Sequence, residues 1–414
     1  MRVAVINSHP TQHFSPLWRE VAKRDEVQLK VFYCSDWGVK EYTDPDFGLA
    51  FKWDVDLLSG YESEFLPLRA RPKKLGFWET DNPSVGKALS EFAADVVVLF
   101  GYSHLTNWRA LAWARRHRRR MVVFGDSELK HDRSVWRRIA KQLVVRGFLS
   151  QADGVLPIGN CNANYYRHYG VPSNMMFWCA CPVDGQRLLS SVQDEEAARV
   201  QLRNRWGIGP NDFVFASVGK YIARKRPGDL IEAFLRLPET DRNRSWVVLI
   251  GEGPLRPELE QTALRAAGRA ILTGFVKQTE MPRYLAFSDA LVVASDSDPH
   301  PLAVTESLFF GRPIIASDVI GCIGPDDTVR DGENGITYPC GDIDRLSDAM
   351  RQLLGSSELC HRFGKHSREI AEGQDVRAAA GKFTEAFRKV MCLQRSGVME
   401  RMVRWIPAFP GRSQ

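Results

Sequence analysis

The sequence predicts an α/β protein made of two doubly wound, Rossmann-like domains. Three observations predict it. Apolar runs of strand length alternate with helical patterns along all 414 residues, which argues parallel sheets with helical crossovers. The length exceeds one ordinary hydrophobic core. The strand series also starts afresh after Cys181-Pro-Val-Asp-Gly185, where Pro and Gly suit a hinge.

In the first half the strand-like runs are Val3–Ile6, Val27–Tyr33, Val96–Phe100, Met121–Phe124 and Val155–Ile158. Helical patterns lie between them, at Pro16–Lys23, Trp108–Arg116 and Val135–Leu149. The stretch from Trp37 to Asn82 mixes Gly, Pro and aromatics and is expected to form loops over an acceptor site. A charged helical connector, Asp194–Arg205, leads into the second series: Phe213–Val218, Trp246–Ile250, Ala270–Leu272, Ala290–Val293 and Ile314–Ala316. A helical tail follows, from about Asp342 to Leu393. The expected division is 1–185 as an acceptor-side domain, 186–393 as a ligand domain, and 394–414 as a tail packing back on the first.

Composition sets the class. The apolar fraction is 44% and the charged fraction 26%, as in soluble globular proteins. No apolar run approaches the roughly 18–20 residues that span a bilayer, and the apolar start is too short for a signal peptide. Cytoplasmic residence is the default expectation. The eight Cys are scattered and lack zinc spacing, so free thiols are expected. Net charge is +6, with a dense basic run at Arg115-Arg-His-Arg-Arg-Arg120. No nucleic-acid motif accompanies it, so that partner is discounted.

Asp298-Pro-His-Pro-Leu-Ala-Val-Thr-Glu306 is the most telling stretch. It joins a strand to a helix and carries a carboxylate at each end. Pro299 and Pro301 break any helix before Leu302, so the free amides of Leu302 and Ala303 suit a phosphate. Glu306, one turn inside, suits ribose hydroxyls better than a second anion, and Asp298 can meet sugar hydroxyls. Three other strand ends agree. Ser217-Val-Gly-Lys-Tyr-Ile-Ala-Arg-Lys-Arg226 brings the cations Arg224 and Lys225 after a strand. Leu249-Ile-Gly-Glu-Gly-Pro-Leu255 is a strand with a tight turn, but lacks the full dinucleotide spacing. Leu272-Thr-Gly-Phe-Val276 offers backbone at Gly274, Phe275 and Val276 to a base. Taken singly, each has an ordinary structural reading too.

Together, and with Gly311-Arg-Pro-Ile-Ile-Ala-Ser317 and Asp327-Thr-Val-Arg-Asp-Gly-Glu-Asn-Gly335, these motifs resemble the family 4 glycosyltransferases of GT-B fold. The match is close over roughly Phe213 to Asp342. The resemblance implies a retaining transfer from a nucleotide-activated sugar, in a cleft between the two domains, with no metal or other cofactor. It implies that Arg224, Lys225 and the Leu302–Ala303 helix start hold the donor diphosphate. Glu306 would hold the ribose and Gly274–Val276 the base. Asp298 stands where the family has its first Glu, near the donor sugar, and Asp327 also replaces a Glu; both keep the charge and lose reach. A glycan or lipid-linked acceptor of the cell envelope is the expected partner, as in polysaccharide or lipopolysaccharide synthesis.

The first domain lacks the family's paired glycines after its first strand and has Asn7-Ser-His-Pro-Thr-Gln-His-Phe14 instead. His9 and Gln12 stand at that strand end as acceptor-side candidates. The resemblance gives Asp126, after another strand, the polar place near the anomeric carbon, with Glu128 and then His104 behind it. Several alternatives stay open. Asp296-Ser-Asp298 is also an Asp-x-Asp of the metal-binding kind. An epimerase or hydrolase, or a non-catalytic sugar-nucleotide-binding protein, fits the same scaffold. In 132–150, Trp136, Ile139, Leu143 and Val144 alternate with Arg137, Arg138, Lys141 and Arg146. That pattern suits either docking on an anionic membrane at its inner face or an ordinary core stripe.

Overall fold

The computed structural model describes residues 1–44, 49–70, 75–129 and 135–394. In chain order its strands are β1 (Arg2–Asn7), β2 (Gln28–Tyr33), β3 (Tyr42–Asp44), β4 (Leu49–Phe51), β5 (Glu62–Phe65), β6 (Val96–Phe100), β7 (Arg120–Phe124) and β8 (Gly154–Leu156). The second half adds β9 (Phe213–Val218), β10 (Ser245–Ile250), β11 (Ala270–Leu272), β12 (Ala290–Val293), β13 (Ile314–Ser317) and β14 (Gly335–Tyr338).

The first six-stranded sheet runs β5-β2-β1-β6-β7-β8 and the second β11-β10-β9-β12-β13-β14. All pairings in both are parallel. Each order is the doubly wound one, in which the chain builds outward from a central strand to one side and then returns to build the other. The central strands are the apolar runs the sequence shows. Val3, Ala4, Val5 and Ile6 are fully buried, as are Val214, Phe215 and Ala216. Strands covered on both faces need such continuous runs.

Two strands of the six-stranded sheets are absent from the expected list, β5 and β14. Both are sheet edges. β5 reads Glu-Ser-Glu-Phe and lies half in solvent, and β14 opens on a glycine. An edge strand has fewer neighbours to bury it, so its sequence can do without the apolar signal, although the edges β8 and β11 keep it. The stretch from Trp37 to Asn82 is accordingly not all loop: it holds β5 and the antiparallel β3–β4 hairpin.

The chain divides into two compact units. Unit 1 holds 1–40, 57–180 and the described residues from 377 on; unit 2 holds 41–56 and 181–376. The main switch between the units lies at 180/181, beside Cys181-Pro-Val-Asp-Gly185. Two segments differ from the expected division. The hairpin segment belongs to unit 2, and the helix Val376–Cys392 belongs, from Arg377, to unit 1 rather than to the ligand domain. Phe383 explains the second difference. It is fully buried, with ring centroids 5.8 Å from Trp18 and 5.4 Å from Phe124. The tail expected over 394–414 lies outside the described residues, apart from Gln394.

Local signals place the elements around the site. Asp194 caps the connector helix Glu195–Trp206 by accepting the Ala197 N–H at 2.9 Å. Gly251 adopts φ 153°, and a Cβ there would stand 1.8 Å from the Gly219 carbonyl oxygen. The Gly-x-Gly after β10 therefore lets two strand-end loops pass in contact.

Phe383→Ala is expected to lower the unfolding free energy by about 3–5 kcal/mol, as for other buried aromatics. Urea unfolding followed by Trp fluorescence checks it. Wild-type stability in the variant would remove the last helix from the unit 1 core.

Candidate active site

In a doubly wound sheet, ligands sit outside the carboxyl ends of the strands, where the order reverses. In unit 2 that point lies between β9 and β12, and the predicted residues come from the loops there. Ala223–Lys225 forms a short 3-10 turn after β9. The loop after β12 runs beside it: the Asp296 N–H donates to the Arg224 carbonyl at 2.9 Å, and the Arg224 guanidinium donates to the Ser297 carbonyl at 3.2 Å. Arg224 is otherwise exposed. Ser217, Gly219, Tyr221, Lys225, Ala294 and Pro301 line a small hollow at these strand ends. A larger hollow, about 450 Å³, lies at the opposite ends of the strands by Phe213, Arg312 and His361. It shares no residue with the predicted site.

Asp298 is buried and forms an ion pair with Lys225. Its carbonyl accepts the Gly321 N–H at 2.8 Å, which ties the next loop to it. Asp327, the other shortened acid, is buried and accepts the Thr328 N–H at 2.8 Å. Burial raises the Cys322 thiol well above its ordinary value, and the Asp327 and Asp298 charges add to it. The two acids thus flank one buried thiol.

The helix Leu302–Phe309 starts at Pro301, whose φ is −67°. The amides of Leu302 and Ala303 precede the first intrahelical acceptor, so they remain donors at the helix start. Glu306 is buried on this helix. Its Oε1 accepts from the Gln278 side-chain amide at 3.0 Å. Burial raises its carboxyl above the ordinary value, against the pull of Gln278 and Arg187. Such a buried carboxyl, short of donors, suits ligand hydroxyls. Gly274 takes φ 80°, and its carbonyl accepts the Gly251 N–H at 3.1 Å. Phe275 and Val276 follow, half-buried.

Unit 1 repeats the arrangement between β1 and β6. His9 and His104 come from the loops after these strands and lie close enough to interact. Burial first and the His104 charge second lower His9 to about 4. Burial also lowers His104, opposed by a hydrogen bond to the Leu75 backbone. The His9 ring meets the Ser8 hydroxyl at 2.9 Å. Beside them Gln12 Oε1, Thr11 Oγ1 and Asn7 Nδ2 are buried without a hydrogen-bond partner. Unmet polar atoms at a switch point are what a polar ligand would satisfy. Asp126 is exposed past β7. The Tyr166 phenol is raised first by its burial and then by the Asp126 charge. Glu128 is half-buried in the same loop.

Sequence reasoning missed Gln278, Asp54 and Asn7. Gln278 is only two residues past the predicted base loop but belongs to no recognisable spacing. Asp54 accepts the Gln278 N–H from 224 residues away, which no local pattern encodes.

Residues 199–370 match the family model described as glycosyl transferases group 1. Within this matched segment lie Arg224, Lys225, Gly274, Asp298, Leu302 and Glu306. The chain is 30% identical over 190 residues to alpha-D-kanosaminyltransferase of Streptomyces kanamyceticus, covering 45% of this chain and 48% of that one. It is 30% identical over 180 residues to the lipopolysaccharide core biosynthesis glycosyltransferase LpsE of Rhizobium meliloti (strain 1021), covering 43% and 49%. The chain thus spans about half the length of these curated relatives. Among solved structures it resembles Anabaena Alr3699/HepE in complex with UDP, with a TM-score of 0.72 and 15% identity over 94% of this chain and 100% of that one. That likeness shows the fold, which is GT-B as expected.

The paired histidines give a pH prediction. A base whose folded pKa is lowered takes up fewer protons when folded than when unfolded. Between about 6.5, its ordinary value, and about 4, stability therefore rises with pH and is lost as pH falls. His9→Gln should flatten the fall between pH 6.5 and 4.5 in urea unfolding. An equal fall in the variant would refute a buried neutral His9.

Proposed function

We propose that this chain transfers a sugar from a nucleotide-sugar donor to a glycan or lipid-linked acceptor of the cell envelope, with retention at the anomeric carbon. One observation carries the reading. In a segment of a glycosyltransferase family, a buried carboxylate, two cations and a helix start meet at the strand-end switch point of unit 2. The chemistry of a nucleoside diphosphate matches them. Glu306 takes the ribose hydroxyls, backbone at Gly274–Val276 faces the base, and Arg224, Lys225 and the amides of Leu302 and Ala303 take the diphosphate. As the bond to the anomeric carbon breaks, negative charge grows on the leaving diphosphate and these groups stabilise it. The cations serve in place of a metal, and Asp298, already engaged by Lys225, is not laid out as half of a metal-binding Asp-x-Asp. Relatives support the donor class: HepE has been crystallised with UDP and with UDP-glucose. They support the acceptor class through the lipopolysaccharide core enzyme LpsE.

Asp298 and Asp126 are the acids assigned to the reacting sugar, with His9, Gln12, His104 and Glu128 on the acceptor side. Retention follows if the leaving diphosphate takes the acceptor's proton on the face it departs from. Asp298 meanwhile steers Lys225 and the sugar hydroxyls.

The helix Val135–Leu149 bears on where the acceptor is met. Its C-terminal turns are core, with Val145, Phe148 and Leu149 buried. Its other apolar residues are not. Trp136 is 81% exposed, and Ile139, Leu143 and Val144 are exposed too. Arg138 stands exposed among them, and the helix carries no acid. The residues 132–134 that begin the sequence pattern lie outside the described residues. Among the described residues no helix is long and apolar enough to cross a membrane. Of the expected basic face, Arg146 is buried and Lys141 lies over the Tyr165 ring, which leaves an exposed apolar stripe beside Arg138; such a stripe suits the surface of an anionic bilayer, on the inner face of the membrane.

Glu306→Ala should weaken donor binding by roughly ten- to a hundredfold, the worth of one or two hydrogen bonds to a charged group. Isothermal titration with the donor found in a thermal-shift screen of nucleotide sugars measures it. Parent-like affinity would sink the ribose role. Turnover of donor with no acceptor present would favour a hydrolase or epimerase instead, and chelator-sensitive activity would restore a metal. Trp136→Ala with Ile139→Ser should reduce co-sedimentation with phosphatidylglycerol vesicles at least about fivefold. Undiminished binding would remove this stripe from the membrane contact.

A further inference from the structure

The segment 41–56 is threaded from the first half of the chain into unit 2, and it ends on the nucleotide side of the candidate site. Asp54 makes the contact. One carboxylate oxygen accepts the Gln278 N–H at 3.1 Å. The other accepts the Thr279 N–H at 3.1 Å and the Thr279 hydroxyl. Gln278 in turn donates its side-chain amide to Glu306 Oε1 at 3.0 Å. The backbone of Gln278 is fixed at one end by Asp54 and its side chain at the other by Glu306.

This chain of bonds has a direction. Glu306 is buried and would turn freely about its terminal bond without a fixed donor. Gln278 supplies that donor, leaving Oε2 for a ligand. Gln278 can hold its angle only while the loop after Val276 holds its place. That loop also carries the Gly274–Val276 backbone. We propose that Asp54 is a positioning residue for the nucleoside end of the donor, acting through Gln278 on Glu306 and through the loop on the base-facing backbone. The proposal rests on the assignment of Glu306 to the ribose. Burial alone would raise the Asp54 carboxyl, but its bonds to Thr279 and Gln278 outweigh that and hold it below its ordinary value. The clamp is therefore ionised near neutral pH, and hydrogen bonds to an ionised acceptor are the strong ones.

The probes are UDP, GDP and ADP, titrated into the full-length protein by calorimetry, with melting temperature recorded for each variant. Using the nucleotide that binds the parent, Asp54→Ala is expected to weaken affinity about tenfold. It should raise the donor KM by a similar factor while kcat stays within about twofold. Asp54→Asn, which keeps one accepting oxygen, should fall between. In a Glu306→Ala background, Asp54→Ala should cost less than about threefold, because only the route through the loop backbone is left. If Asp54→Ala fails to fold, Thr279→Ala removes the hydroxyl donor alone and should weaken binding about threefold. Unchanged nucleotide affinity in a folded Asp54 variant overturns the proposal. So does an equal tenfold loss with and without Glu306, or a fall in kcat at constant KM. A parent protein that binds none of the three nucleotides overturns the donor-site reading, and the clamp falls with it.

Discussion

The order of the parallel strands is the constraint on which the rest of the molecule depends. A parallel neighbour cannot be reached by a tight turn, so each crossover takes the chain away along a helix before it returns. In unit 2 the chain leaves β9 for β10 on one side, then comes back to lay β12 on the other. No connection spans the gap between the loops after β9 and β12, so those two loops are free to meet each other. They do so through backbone: Asp296 N–H on the Arg224 carbonyl, and Arg224 on the Ser297 carbonyl. Lys225 is brought to Asp298 by this meeting, although 73 residues separate them. Unit 1 repeats the order, and His9 and His104 are neighbours for the same reason.

The charges at the unit 2 site are sorted by burial and by partner. Asp298 has a cation and Glu306 has an amide. Burial pushes the Glu306 carboxyl above its ordinary value, and the Gln278 amide offsets that only in part. The two ends of one short stretch therefore differ in partner. On the proposed function, a diphosphate reaching Lys225 meets a cation that already holds an anion, so donor binding involves a change of partner. The shorter reach of Asp298 matters here, because one methylene sets how closely the carboxylate can follow the ammonium.

Most of the fold could be read from the sequence because strands buried on both faces are written as continuous apolar runs. Val3–Ile6, Val96–Phe100 and Phe213–Val218 are such runs, and each is a strand of the structure. Of the four edges, β8 and β11 were readable, but Glu62–Phe65 has polar residues where a central strand would have Val or Ile, and β14 opens on a glycine. The unit 2 site was readable for a related reason: glycines, prolines and charges cluster at strand ends, in register with the apolar runs before them. Gly251 shows this directly, its lack of a side chain being required by the Gly219 carbonyl. The contacts of Asp54 and Phe383 were not readable. They join residues hundreds of positions apart, and neither partner has any local reason to find the other. Asn7 was missed because an amide at the end of a buried strand looks like an ordinary strand terminus until its unmet donor is seen.

The seating of Phe383 against Trp18 and Phe124 has a consequence in time as well as in space. A ribosome releases the strands of the first sheet early, but the aromatic ring that closes their core is translated more than 250 residues after Phe124. Unit 2 lies almost wholly between them and has its strands in hand first. Unit 1 must then wait with Trp18 and Phe124 uncovered, an interval in which a nascent chain is open to chaperones and to aggregation. The first sheet to be made is the last to be finished.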